Sequence, residues 1–185
     1  TCKLASGASA APGWGELLGR YKGASMEVRR GPGIALFDAH GGAYLDLVAG
    51  SAGNALGYSG TGLEPAMREA IDGGRVHVSN LYRTAPGERL AEKLVERTFA
   101  DRVFFCNSGA EANEGAFKMV RRWARTTGGT AKHEIIALRG AFHGRLFGTL
   151  AATDRPSYRA PFRPLAGGIS IVERVLGEID AAFNA

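Results

Sequence analysis

Cysteine is scarce in this sequence, because only Cys2 and Cys106 occur among 185 residues. Neither lies in a C-x-x-C pair or at the spacing of metal ligands, so the sequence indicates neither a disulfide framework nor a metal site. We therefore expect a reducing, cytoplasmic environment. Long hydrophobic runs are also absent. No apolar stretch approaches the roughly 20 residues of a membrane span, and the first residues lack the apolar core of a signal peptide. We expect no membrane partner.

Dense tracts of one charge are lacking as well. The chain has 23 basic and 18 acidic residues, a formal charge of +5. The densest basic groups are Arg29-Arg30 and Arg121-Arg122 with Arg125, and neither is interleaved with aromatic residues as in nucleic-acid-binding tracts. We expect no nucleic-acid partner and favour small anions, such as phosphates and carboxylates. A polyanion-binding protein stays open as an alternative that rests on the charge alone.

The first part of the chain has the pattern of a small antiparallel meander. After a segment rich in small residues at 1–13, a short helix is predicted over 14–21. Three short strands are then predicted at Met26–Val28, Ile34–Phe37 and Tyr44–Leu47, because glycine-rich turn signals separate them. We assign residues 1–50 to this N-terminal segment.

Helices and strands alternate over residues 51–185, which we assign to a second domain. Alternation of this kind indicates an α/β fold, with a parallel sheet that has helices on both faces. Helices are predicted at 63–72, 85–98, 110–126, 144–152 and 176–183. Strands are predicted at 103–106, 134–138 and 169–172.

One strand-to-helix junction favours an anion site. The predicted strand Val103–Cys106 runs through Asn107 into Ser108, which has capping-box spacing to Glu111. As the N-cap, Ser108 leaves the backbone N–H groups of Gly109 and Ala110 free at the positive end of the helix, where a phosphate can bind. The alternative is a capped helix with no ligand. The segment matches neither the P-loop pattern nor the dinucleotide-binding fingerprint.

Four blocks in one order resemble the class III aminotransferases, which use pyridoxal phosphate. F-F-C-N-S-G-A-E-A-N-E at 104–114, with Lys118 after it, is similar to the family's phosphate-cup motif. A-F-H-G-R at 141–145 looks like the family's F-H-G-R. V-H-V-S-N-L-Y at 76–82 resembles a segment of the acetylornithine aminotransferases. Y-L-D-L-V-A-G at 44–50, followed by N-A-L-G at 54–57, also matches in order and spacing.

The resemblance implies part of a fold-type-I aminotransferase, in which residues 51–185 would form the first part of the large cofactor-binding domain, truncated at its C-terminus. It also implies a set of cofactor contacts. The residues that would hold the cofactor phosphate are Ser108, Gly109 and Ala110. Phe142 would stack on the pyridine ring, since an aromatic face there shields the ring. The alternative for Phe142 is an ordinary place in the core.

Two further residues would contact substrate according to the resemblance. Arg145 would pair with a substrate carboxylate, because its planar guanidinium makes two parallel hydrogen bonds. Asn80 would lie near the active site, across a dimer interface, because family members are generally homodimers with shared active sites. The alternatives are a surface arginine and an ordinary loop. His143 receives no catalytic role.

The resemblance also implies that the lysine carrying the cofactor lies beyond Ala185. The lysines present are Lys3, Lys22, Lys93, Lys118 and Lys132. Lys118 follows Gly109 by nine residues, about 13 Å along a helix axis, so it would point away from a phosphate at Gly109. We expect no catalytic residue among residues 1–185, and no transamination by these residues alone.

The acetylornithine-type segment favours transfer of an amino group between acetylornithine, or a related amine, and a 2-oxo acid in arginine biosynthesis. Ornithine, succinylornithine or 4-aminobutyrate aminotransferases are the closest alternatives. A truncated, non-catalytic binding or dimerisation module is an alternative of another class. Two departures from the family pattern, residues 58–62 and Leu146 in place of the common threonine, bear on this choice of subfamily.

Overall fold

The computed structural model describes residues 27–29, 31–59, 62–74, 77–128 and 133–183. The helix predicted over residues 14–21 lies outside these ranges. The chain divides into two compact units, Thr1–Tyr82 and Arg83–Ala185. The domain boundary predicted after residue 50 was based on a change in the sequence pattern, whereas these units are defined by their compactness. The predicted boundary therefore stays a prediction.

The first unit contains the expected antiparallel meander. Strands β1 (Val28–Arg29), β2 (Ala35–Asp38) and β3 (Ala43–Leu45) pair in chain order. The Asp38 side chain closes the turn between β2 and β3, because its Oδ1 accepts the backbone N–H groups of His40 and Gly42 at 2.9 and 2.8 Å. Hydrogen bonds to Asp38, the largest from the Gly42 N–H, hold the pKa of this carboxyl below its usual value.

A loop and one helix complete the described part of the first unit. Asp46 follows β3 and accepts hydrogen bonds from the backbone of Val48 and Ala49 and from the Tyr58 hydroxyl. Tyr58 makes the largest contribution to lowering the pKa of Asp46. Helix α1 spans Leu63–Asp72, as predicted.

The second unit alternates helices with a parallel strand pair. Strands β4 (Ile135–Leu138) and β5 (Ile169–Val172) pair in parallel, with Ile136 opposite Ser170. The elements in chain order are α2 (Ala85–Arg97), α3 (Gly109–Gly128), β4 (Ile135–Leu138), α4 (Phe147–Ala152), α5 (Pro156–Arg159), a 3-10 turn (Ala160–Phe162), β5 (Ile169–Val172) and α6 (Leu176–Phe183).

Small side chains fill the buried part of the second unit. The buried residues here are Ala124, Ala137, Gly144, Thr149, Leu150, Ala151, Ala152 and Thr153. Four of the eight lie on α4 and Thr153 is its C-cap residue; α4 contacts α3, α5 and β5. Small side chains allow the backbones of packed elements to approach closely, and this approach shapes the site described below.

Two predicted elements of the second unit are wrong. Residues 103–106 do not form a strand: they have no ladder partner among the described residues. Phe104 and Phe105 are correspondingly exposed. Helix α4 begins at Phe147 rather than at Gly144. The backbone of Gly144 is left-handed (φ +128°) and that of Leu146 is extended, and neither conformation belongs to an α-helix.

Candidate cofactor site

Helix α3 begins at the capped junction that the sequence predicts. The Ser108 hydroxyl accepts the N–H of Glu111 at 3.2 Å, and the Ser108 carbonyl accepts the N–H of Ala112 at 3.0 Å. The Glu111 carboxylate reaches back to the N–H of Asn107 at 2.6 Å. In a standard capping box the acid contacts the N-cap residue itself, so the return contact here is displaced by one residue. Ser108 is therefore the N-cap of α3.

The start of α3 is open and suits a phosphate group. The N–H groups of Gly109 and Ala110 precede the first intrahelical donor, so the helix supplies no acceptor for them. A methyl group added at Gly109 would meet no atom within 4 Å, so an anion can approach the backbone there. The Ser108 hydroxyl, already accepting from Glu111, keeps its proton to donate. The helix dipole adds partial positive charge at this end.

The turn that follows β4 packs directly on this helix start. A Cβ atom at Gly144 would lie 2.6 Å from the Cβ of Ala110 and 2.9 Å from its Cα, so only glycine fits. One turn further along α3, the side-chain amide of Asn113 donates to the His143 carbonyl at 2.9 Å. The rings of His143 and Phe117 lie 6.2 Å apart. The segment 142–145 is therefore held against the first turns of α3.

Two buried threonines, Thr149 on α4 and Thr153 at the C-cap of α4, fix the other side of the turn. The Thr153 hydroxyl accepts the N–H groups of His143 and Gly144 at 2.9 and 3.2 Å, and lies 2.8 Å from the Gly144 carbonyl. The Thr149 hydroxyl accepts the N–H of Leu146 at 3.1 Å. Both threonines are 0% exposed. Their hydroxyls satisfy backbone groups that the irregular turn would otherwise leave buried and unpaired.

The two predicted contact residues of the turn are exposed. Phe142 is 56% exposed and does not belong to the core of this unit. Arg145 is exposed, and its guanidinium carbon lies 6.0 Å from the ring centroid of Tyr158, at the edge of cation–π range. An aromatic face and a cation thus stand on one turn beside the open end of α3.

The structure brings together five of the six predicted site residues. Ser108, Gly109, Ala110, Phe142 and Arg145 share the second unit. Asn80 belongs to the first unit, where it is exposed in a turn that the Tyr82 N–H closes on the Ser79 carbonyl at 3.0 Å. Its assignment to substrate stays a prediction.

Sequence reasoning missed the residues that support the turn. These residues are Asn113, Glu114, Thr149 and Thr153. Each contact from α3 joins residues 30 or more positions apart, and no local pattern encodes such a pairing. The single local signal was a pair of threonines four residues apart, Thr149 in α4 and Thr153 directly after it.

One of the basic groups noted in the sequence has a structural role. Arg121 on α3 donates to the carbonyls of His133, Gly167 and Gly168 at 3.0, 3.1 and 2.9 Å. These contacts tie α3 to the segments that precede β4 and β5. Among the described residues, no cluster of side chains could hold a metal ion and no helix could span a membrane.

Comparison with known proteins identifies the family behind this geometry. The chain matches the aminotransferase class-III family over residues 20–181. It belongs to the class III aminotransferases. It is 41% identical over 169 residues to the mitochondrial acetylornithine aminotransferase of Alnus glutinosa, covering 90% of this chain and 37% of that protein. It is 47% identical over 139 residues to the succinylornithine transaminase of Salmonella typhimurium, covering 74% of this chain and 33% of that protein.

A solved structure extends the comparison to the fold. The ω-transaminase from Pseudomonas jessenii, in complex with PMP, matches with a TM-score of 0.74 at 30% identity, covering 80% of this chain and 33% of that chain. The chain thus spans about a third of the length of the relatives it matches. The expected class III family, its partial α/β fold and its pyridoxal-phosphate cofactor are confirmed.

Proposed function

We propose that the full-length protein transfers an amino group between acetylornithine, or a related amine, and a 2-oxo acid, in arginine biosynthesis. One observation carries the proposal. Gly144 packs on Ala110, so that the turn carrying the exposed Phe142 and Arg145 lies against the first turn of α3, beside the open position at Gly109. The substrate assignment is supported by the H-V-S-N-L-Y segment and by the acetylornithine aminotransferase relative.

The residues present fit the cofactor by their chemistry. The backbone N–H groups of Gly109 and Ala110 and the Ser108 hydroxyl would hold its phosphate, since they are open donors at the positive end of a 20-residue helix. Phe142 would cover its ring with an exposed aromatic face. When bound, pyridoxal phosphate supplies an electron sink for the carbanion that amino transfer requires.

Arg145 would hold the substrate by its carboxylate. A guanidinium presents parallel donors that match the two carboxylate oxygens, and this pairing orients the substrate amine toward the cofactor. The Tyr158 ring lies beside the Arg145 guanidinium and limits the directions in which it extends. Asn80 would add a second polar contact to the substrate.

We also propose that none of the described lysines carries the cofactor. Lys118 lies on α3 nine residues after Gly109, about 13 Å along the axis, so it does not reach a phosphate at the helix start. Lys93 lies on α2 and is exposed. By family resemblance we also propose a homodimer, and from the two isolated cysteines a cytoplasmic location.

A second candidate substrate, succinylornithine, is favoured by the 47% identity to the succinylornithine transaminase. Steady-state assays of the purified full-length protein would compare kcat/KM for N-acetylornithine, N-succinylornithine, ornithine and 4-aminobutyrate across a panel of 2-oxo acids. We expect acetylornithine to have the highest kcat/KM among these amines. A protein that transfers no amino group from any of these amines contradicts the proposed function.

The role of Arg145 is tested by R145A in the full-length protein. Truncating one partner of a charge-assisted pair costs on the order of 2–5 kcal/mol, so kcat/KM for the carboxylate substrate should fall about thirtyfold or more. R145K should recover only part of the loss, because an ammonium group cannot make the paired contact. The absorbance of the bound cofactor should persist. Wild-type kinetics in a folded, cofactor-loaded R145A protein would rule out this role.

A further inference from the structure

Helix α4 starts without a cap of its own. Its N-cap residue is Leu146, whose apolar side chain cannot accept a hydrogen bond from the first turn. Helices prefer Ser, Thr, Asp or Asn at this position, because their side chains accept the N–H of the second or third helical residue. The Thr149 hydroxyl satisfies the N–H of Leu146, but that contact leaves the N–H of Thr149 itself to be satisfied.

Glu114 of α3 supplies the missing cap from 35 residues away. Its Oε1 accepts the N–H of Thr149, the third residue of α4, at 2.8 Å. A Cβ at Gly148 would lie 2.7 and 2.8 Å from the two carboxylate oxygens, so the carboxylate occupies space that any larger residue would take. A negative charge at the start of a helix is also favourable.

This contact bears on the candidate site because α4 continues directly from the 142–145 turn. Thr149 in α4 and Thr153, the C-cap residue of α4, bond the backbone of this turn, so their positions depend on α4 being formed. We propose that Glu114 is a positioning residue: its carboxylate caps α4 and thereby holds Phe142 and Arg145 beside the start of α3. The expected effect on catalysis rests on the proposed function. The capping of α4 by Glu114 is independent of that function.

The test uses the full-length holoenzyme in four variants. E114A removes the acceptor. E114Q keeps a carbonyl oxygen that accepts the same N–H. E114A/L146S adds a local N-cap at the position where α4 lacks one. E92A, an exposed glutamate on α2, is the matched control. Hydrogen exchange of the peptide covering 142–152 and steady-state kinetics are measured for each variant.

We expect E114A to speed amide exchange at the start of α4 by about threefold to thirtyfold, the range that corresponds to loss of an N-cap. kcat/KM should fall by a similar factor, mainly through KM for the carboxylate substrate, with the cofactor spectrum retained. E114Q and E114A/L146S should stay within about threefold of wild type, and E92A should match it. Rescue by a serine placed on α4 distinguishes capping from a general loss of stability.

Two results would overturn the inference. One is unchanged exchange over 142–152 in E114A. The other is an E114A/L146S protein whose amide exchange and kcat/KM are no closer to wild type than those of E114A. If E114A fails to fold, an E114A/L146S protein that also fails to fold has the same meaning. If the wild-type protein transfers no amino group, the proposed function fails, yet the exchange pattern still decides whether Glu114 caps α4.

Discussion

Replacing Gly144 by alanine probes the contact that brings the two halves of the candidate site together. The added Cβ would lie 2.6 Å from the Cβ of Ala110 and 2.9 Å from the Thr149 hydroxyl oxygen, whereas ordinary contacts begin near 3.4 Å. Overpacking of this kind costs about 1–3 kcal/mol. The left-handed φ of +128° adds about 1–3 kcal/mol of backbone strain for alanine. We therefore expect G144A to lower the free energy of unfolding by about 2–6 kcal/mol, a large fraction of typical stability.

The assay is urea denaturation of the full-length protein, followed by circular dichroism and by the absorbance of the bound cofactor. G167A is the matched control, because a Cβ there meets nothing within 4 Å, and it should change stability by less than about 0.5 kcal/mol. A110G/G144A should recover part of the loss, since it removes the Cβ–Cβ overlap but leaves the backbone strain. Equal unfolding midpoints for G144A and G167A would refute the reasoning about this contact.

Two further predictions concern single side chains. S108A removes the cap of α3 and a phosphate donor, so the Kd for pyridoxal phosphate, measured by absorbance titration, should rise about tenfold; an unchanged Kd would contradict the phosphate assignment. Y58F removes the largest cause of the lowered pKa of Asp46, so that pKa should rise toward the usual value of an aspartate in an NMR titration. Because the folded pKa is lowered, the stability from Asp46 is present above its unfolded pKa and is lost as the pH falls through the folded pKa. A pKa unmoved in Y58F would show that the backbone N–H groups dominate.

The sequence predicted elements well where a local pattern was strong. Helix α1 and strand β5 have the predicted bounds, and the cap at Ser108 followed from its spacing to Glu111. The sequence could not show that residues 103–106 form no strand. A strand requires a neighbouring strand to pair with, and no local pattern reveals whether one is present. The short helix α5 was missed, since four residues give almost no periodicity to detect.

The sequence predicted the hydrogen-bond donors of the candidate phosphate site, but not the side chains that hold the 142–145 turn against α3. Ser108 and Gly109 could be read from a capping pattern, because a helix start is a local structure. The contacts of Asn113 to His143 and of Glu114 to Thr149 depend on how α3 packs against α4. That packing is set by small residues far apart in sequence, so only the folded structure shows it.

A crystal structure of the full-length protein with pyridoxal phosphate tests most directly whether the start of α3 is the cofactor site. Phosphate oxygens are expected within about 2.7–3.2 Å of the backbone nitrogens of Gly109 and Ala110, with the Phe142 ring against the cofactor ring. A phosphate bound elsewhere, with these N–H groups facing solvent or packed protein, would contradict the account.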